Sequence, residues 1–211
     1  MTAVVIFDIG GVLVPEGNRI RKLQDHLASL VGEFDRDEFV DAYWAIRDEY
    51  DLGATDRQFW VPVLRRAGIP ISDETVARAA AKDAELNSTI AREPLQLLTE
   101  LSAAGVPLGI LSNAPRPMAQ RVREREWASL FSHLVFSSDH GVMKPDQQIY
   151  NIVSAAFEGV DQPNFHFFDD RETNIVGAHV ARWQAHLWRN TAHARDWLTV
   201  NGIIPSTSLG E

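Results

Sequence analysis

Val4-Val-Ile-Phe-Asp8-Ile-Gly10-Gly11-Val-Leu13 is an apolar run interrupted by one carboxylate and two glycines. A strand buried on both faces of a parallel sheet is written as continuous Val, Ile and Phe, and ligands of open α/β sheets gather outside the carboxyl ends of such strands. The run predicts a buried strand with Asp8 at that edge, a place for a nucleophile. Gly10 and Gly11 remove side-chain bulk and permit positive φ, so a ligand or metal can approach the backbone beside the acid. Taken alone, the motif also admits, as the lesser reading, an Asp that merely caps a turn.

Three later segments have the same form. Pro107-Leu-Gly-Ile-Leu111 ends in Ser112-Asn113, whose hydroxyl, amide and backbone N–H groups can hold an anion. Leu134-Val-Phe-Ser-Ser138 leads to Gly141-Val-Met-Lys144-Pro145, a cation just ahead of a helix that Pro145 is suited to open. Phe165-His-Phe-Phe168 ends in Asp169-Asp170. Two adjacent carboxylates at the end of a buried strand repel each other unless a cation compensates, so this pair calls for a divalent metal.

In chain order and setting, Asp8, Ser112, Lys144 and Asp169-Asp170 resemble the haloacid dehalogenase superfamily of phosphohydrolases. The resemblance covers residues 4–14 and 94–188 and rests on Phe-Asp8-x-Gly-Gly-Val-Leu, Leu-Ser112-Asn113, Gly-Val-x-Lys144-Pro-x-x-x-Ile-Tyr150 and Phe-Phe-Asp169-Asp170-x-x-x-Asn174. It implies an α/β fold, a doubly wound parallel sheet forming a Rossmann-like core, with a helical-bundle cap inserted soon after the first strand.

The chemistry follows from the residue types. A phosphate monoester carries two negative charges, so an attacking carboxylate needs them neutralised and aligned in line with the leaving oxygen. Mg²⁺, a hard cation that prefers oxygen ligands, would do both. One Asp8 oxygen, the Gly10 carbonyl and Asp170 would supply the protein ligands, with Asp169 a direct or water-mediated partner; the resemblance favours Asp170 as the nearer acid. Lys144 would offset phosphate charge and keep Asp8 ionised, while Ser112, the Asn113 amide and the backbone at Gly11 would meet the nonbridging oxygens. Asn174 would orient Asp170 or a metal-bound water. Asp8 would become a transient aspartyl phosphate that water hydrolyses.

One departure from the superfamily's usual pattern matters. Most of its phosphatases carry a second Asp two residues after the nucleophile, to protonate the leaving oxygen and then activate water; this chain has Gly10. Acid–base help is worth roughly 10²- to 10⁴-fold in rate. Three readings follow: a magnesium-dependent phosphatase resembling the bacterial glucose-1-phosphatases, whose opening likewise has Gly; a 2-haloacid dehalogenase, whose halide leaves without protonation; or a noncatalytic phosphate-binding or regulatory protein. The acid pair argues against a metal-free dehalogenase.

Composition sets the partners. Across 211 residues, 20 Lys and Arg against 29 Asp and Glu leave a net charge of −9, which repels nucleic acid and anionic membranes. The expected partner is a small phosphorylated molecule; oligomeric state is not written in the sequence. Without cysteine there is no disulfide framework and no thiol catalysis. With no basic leader and no membrane-length apolar run, a cytoplasmic location is expected.

Residues 16–90 have a different texture. Ile20, Leu23, Leu27 and Leu30, then Phe39, Tyr43, Ile46 and Tyr50, carry helical spacing without any strand pattern. With further helices at about residues 55–67 and 73–87, they predict a four-helix cap over 16–90, the core comprising 1–15 and 91–211. Helix and strand then alternate at about 117–128, 133–137, 146–157, 164–168, 173–181, 185–188 and 192–200, as in a parallel sheet wound on both faces. Tyr43, Trp44, Arg47 and Tyr50 share a face that either recognises a polar leaving group or packs the cap. His140 is expected in a solvated loop, and His166 and Trp183, Trp188 and Trp197 in core packing.

Overall fold

The computed structural model describes residues 3–205. Five strands, β1 (Val4–Phe7), β2 (Leu108–Ser112), β3 (His133–Phe136), β4 (Phe165–Asp169) and β5 (Gln184–Leu187), form one parallel sheet in the order β3-β2-β1-β4-β5. The chain winds outward from β1 through β2 and β3, then crosses to build β4 and β5 on the other side. The carboxyl edge of β1 is therefore a topological switch point, where a crevice opens.

Period-two alternation explains why the strands are apolar throughout. Val5 and Phe7 pack into one layer with Leu108, Ile110 and Phe168, while Val4 and Ile6 pack into the other with Leu111, Phe165 and Phe167. The first layer is covered by helices α6 (Arg92–Ala103), α7 (Arg116–Arg123) and α11 (Thr191–Val200). The second is covered by α9 (Gln147–Ala156) and α10 (Glu172–Val180). Each side chain fully buried in this way contributes about 1.5–3 kcal/mol.

Between β1 and α6 lie α1 (Arg19–Val31), α2 (Arg36–Ala45), α3 (Arg47–Asp51), α4 (Asp56–Arg66) and α5 (Asp73–Asn87). They bury an apolar cluster of their own, built on Leu23, Leu27, Phe39, Phe59, Trp60 and Val76. Their starts are set by side chains: Asp35 accepts from Glu38 N–H, Thr55 and Gln58 form a capping box, and Ser72 accepts from Thr75 N–H.

The structure departs from expectation in four places. Only Val4–Phe7 is strand; residues 8–14 form a buried turn in which the Ile9 carbonyl accepts from Val12, Leu13 and Val14 N–H, with Gly11 at φ +74°. The helix expected through Phe39 and Tyr50 breaks at Ile46 (φ −126°, ψ 16°), giving five helices in this segment where four were expected. Burial keeps its helical spacing across that break, so the period was legible and the break was not. Pro145 opens no helix: it follows Lys144 through a cis peptide, and α9 begins at Gln147 with Asp146 as its cap. A short helix, α8 (Ser137–His140), stands where a loop was expected, and His140 on it is exposed.

Candidate active site

Three strand ends and one loop make the site. Phe7 pairs with Ile110 on one side and Phe168 on the other, so the residues that follow, Asp8 after β1, Ser112 at the end of β2 and Asp169 at the end of β4, come out side by side. The loop between α8 and α9 sends Lys144 beneath them. Its Nζ lies 2.6 Å from Asp169 Oδ2 and 3.0 Å from Asp8 Oδ1, and donates to the Leu111 carbonyl at 3.0 Å.

Carboxylate oxygens of Asp8, Asp169 and Asp170 lie within 4.8 Å of one another. Three carboxylates against one ammonium leave a local charge of −2, which a low-dielectric site does not sustain without a cation. Burial, opposed by Lys144 and reinforced by Asp169, pushes the Asp8 carboxyl up to about 6. Burial would lower the Lys144 ammonium, but Asp169 and then Asp8 attract it strongly enough that it ends raised. Asp170 is also raised, by burial and then by the charge on Asp169. Asp8 Oδ1 is buried and, despite the 3.0 Å ion pair, accepts no aligned hydrogen bond. A buried hard oxygen held by one ammonium among converging carboxylates suits a metal ion.

The acid pair divides its work. Asp169 is fully buried and saturated: Oδ1 accepts from Arg171 N–H at 2.8 Å, and the Asn174 amide donates to both oxygens at 3.0 Å. Asp170 is half-buried and faces the cavity. Two expectations are thereby corrected. Asn174 orients Asp169, where Asp170 or a metal-bound water was expected. The Asn113 side chain is spent on the backbone of Lys144, donating to its carbonyl at 3.0 Å and accepting from its N–H at 2.9 Å, so this amide positions the lysine instead of meeting an anion.

A cavity of about 490 Å³ opens above these groups. Asp8, Gly10, Asn113, Lys144, Asp170 and Asn174 line its floor; Ser112 and Asp169 lie buried beneath, and Gly11 lines a neighbouring cleft. The helical bundle supplies the roof. There Tyr43 Oη donates to Asp83 at 2.9 Å, Arg47 donates to Asp51 at 2.8 Å, to Asp83 at 3.3 Å and to Tyr43 Oη, and Arg19 reaches Asp83 through Asn87. The expected aromatic and cationic face thus splits. Tyr50 is buried in the bundle away from the cavity, Tyr43 and Arg47 are buried yet line it, and Trp44 is 56% exposed at its wall.

Sequence reasoning did not find Glu16, Arg19, Asp48, Asp51, Asn87 or Arg171, all of which line the cavity. The four-residue spacing of Arg47 and Asp51 was a usable signal for one of them. Asp48 shares α3 with that pair, Arg19 and Asn87 come from α1 and α5 and reach the roof only through packing, and Glu16 and Arg171 lie in loops next to α1 and α10. Bundle and core are tied directly, since Ser137 Oγ donates to the Asp51 carbonyl at 2.5 Å and accepts from Ala114 N–H at 2.9 Å.

Comparison with known proteins places these features. The haloacid dehalogenase-like hydrolase family matches residues 2–182. The (S)-2-haloacid dehalogenase of Pseudomonas putida is 29% identical over 157 residues, 64% of this chain; the match spans 66% of that relative's length. Among solved structures, a HAD family enzyme from Bacteroides thetaiotaomicron matches with a TM-score of 0.66 at 19% identity, over 95% of this chain and 98% of that one. The same enzyme has been solved in complex with magnesium and inorganic phosphate. The L-2-haloacid dehalogenase of Xanthobacter autotrophicus, with chloropropionic acid covalently bound, matches with a TM-score of 0.66 at 20% identity, over 97% and 85% of the two chains. At such identities the structural likeness speaks for the fold.

Proposed function

The chain belongs to the haloacid dehalogenase-like hydrolases, and from that premise we propose that it is a magnesium-dependent phosphatase acting on a small phosphorylated metabolite, such as a sugar phosphate, with Asp8 as nucleophile. The observation that carries this reading is the convergence of Asp8, Asp169 and Asp170 around a single buried ammonium. A halide-releasing site has no use for that surplus of negative charge, and a phosphoryl-transfer site needs a cation to neutralise its substrate. Asp8, Asp170 and the Gly10 carbonyl would hold Mg²⁺, with Asp169 behind them; when bound, the ion draws in the phosphate and screens its charge.

The chain's own groups do the rest. Asp8 attacks phosphorus from the carboxyl edge of β1. Lys144 keeps that carboxylate ionised despite its burial, and Asn113 and Asp169 hold Lys144 in place. Ser112, just beneath the floor, and the backbone at Gly11 and Asn113 would meet the nonbridging oxygens. Residues 16–90 act as the cap, whose polar roof selects the leaving group, and the cavity is larger than a phosphate alone requires.

A haloacid dehalogenase is the second reading, favoured by the curated relatives at 29% identity. The deciding experiment measures p-nitrophenyl phosphate hydrolysis with and without Mg²⁺ beside halide release from 2-chloropropionate. Magnesium-dependent phosphate release supports the first reading; metal-independent halide release replaces it with the second. Calorimetry on Asp170→Asn tests the ligand assignment, which is wrong if magnesium affinity is unchanged.

A further inference from the structure

We propose that Glu16 performs the acid–base work for which Gly10 has no side chain, an inference that rests on the phosphatase reading above. Five carboxylates line the cavity. Asp8 and Asp170 belong to the nucleophile and cation cluster, and Asp51 is held by Arg47 at 2.8 Å. The carboxylates of Glu16 and Asp48 remain, and among the described residues neither accepts a hydrogen bond or joins an ion pair within 4.0 Å.

Connectivity selects Glu16. After Asp8 the chain makes one tight coil: Gly11 N–H donates to the Val14 carbonyl at 2.9 Å, and Gly10 and Val14 pair in an isolated parallel bridge. The coil therefore sets Val14 beside Gly10, and Glu16, two residues on, lines the cavity. Glu16 lines both this cavity and the adjoining cleft of about 440 Å³, which also contains Gly11 and Asp170. Its backbone is pinned, because Arg19 Nε donates to its carbonyl at 3.1 Å, while its side chain is exposed and feels the charges of Arg19 and Asp170 without a hydrogen bond or close ion pair. Nothing lies within 4 Å of where a Cβ on Gly10 would stand, so the volume that an acid at position 10 would fill is open. Asp48, on α3 in the bundle, has no such link to Gly10.

The proton inventory closes. As Asp8 Oδ bonds to phosphorus and the bond from phosphorus to the ester oxygen breaks, that oxygen keeps the electron pair and takes the proton of the Glu16 carboxyl, leaving as an alcohol. Water then attacks the aspartyl phosphate and gives its proton to the Glu16 carboxylate. Phosphate departs, and Asp8 and the protonated Glu16 are restored.

The test compares kcat/KM for p-nitrophenyl phosphate, a good leaving group, with that for glycerol phosphate, a poor one, at saturating Mg²⁺. The proteins are wild type, Glu16→Gln, Asp48→Asn and the double variant Gly10→Asp/Glu16→Gln. Glu16→Gln should raise the aryl-to-alkyl ratio by about a hundredfold or more, and Gly10→Asp in the same chain should bring the ratio back toward wild type. Rescue from a different position is a result that a purely structural glutamate does not produce. An unchanged ratio in Glu16→Gln, or the same rise in Asp48→Asn alone, overturns the assignment. Wild-type protein that turns over neither ester with Mg²⁺ overturns instead the phosphatase reading on which it stands.

Discussion

Asp170 lies directly over Gly11: a Cβ built on Gly11 would stand 1.9 Å from Asp170 Oδ2 and 2.5 Å from its Cγ. Gly11 also adopts φ +74°, a conformation that L side chains rarely take. One glycine thus serves both the buried turn after Asp8 and the placement of the acid that faces the cavity.

Gly11→Ala should therefore displace Asp170 and strain the turn together. We expect magnesium-dependent turnover to fall by at least about tenfold, with a backbone cost of about 1–3 kcal/mol visible as a lower Tm. Gly10→Ala is the control, since space around its Cβ is open and its φ is unexceptional. Its Tm should stay near wild type. Equal losses in the two variants, by calorimetry and steady-state kinetics, would remove the special role of Gly11.

Asp8→Asn should abolish hydrolysis of p-nitrophenyl phosphate without unfolding the protein, because an amide does not attack phosphorus. Burial already pushes the Asp8 carboxyl up to about 6, so its ionised form costs stability near neutral pH. The variant's Tm should equal or exceed that of wild type, and a substantial fall would show that the carboxylate holds the fold together.

Asp83 accepts from Tyr43, Arg47 and Asn87 inside the bundle. Asp83→Ala leaves Arg47 and the Tyr43 hydroxyl short of a partner, at a cost of about 3–5 kcal/mol by urea unfolding. Asp73→Ala, which breaks an exposed pair with Arg57 and removes one of the two first-turn acids of α5, should cost about 1 kcal/mol. Comparable losses at the two sites would mean that the buried network contributes no more than a surface pair.

Burial and the neighbouring His166 lower the His186 imidazole from 6.5 to about 4, and burial lowers His166 as well. Above pH 6.5 both folded and unfolded His186 are neutral and the group contributes nothing. As pH falls from 6.5 to 4 the unfolded chain takes a proton that the folded chain refuses, so stability declines through that window and levels off below it. Asp8 acts with the opposite sign, since its raised carboxyl takes its proton earlier in the folded state. His186→Phe separates the two: the drop in Tm between neutral pH and about pH 5 should shrink in the variant. An identical drop would place the acid sensitivity elsewhere.

Much of the fold was legible because burial on both faces demands a recognisable composition. The strands around Ile6, Ile110 and Phe167 are each written as apolar runs, and the acids and hydroxyl that follow them fall at one edge of the sheet. The helical bundle was legible as a period, from Leu23 and Leu27 through Phe39 and Tyr43. Its break at Ile46 was not, because no Gly, Pro or capping residue marks the position.

By itself, the sequence determined the parallel α/β class, the helical character of the segment expected at residues 16–90 and the set of polar residues at the strand ends, since these depend on local pattern and chain order. Tertiary structure alone decided which partner each of those residues takes. Asn113 clamps Lys144 across 31 positions, Asn174 serves Asp169 instead of Asp170, and Arg47 turns to Asp83 across 36. Hydrogen bonds and ion pairs are settled over a few ångströms; for the two long-range pairs that separation exists only once the sheet and the bundle have packed, and for Asn174, five residues from Asp169, only once β4 and α10 have set the angle between them.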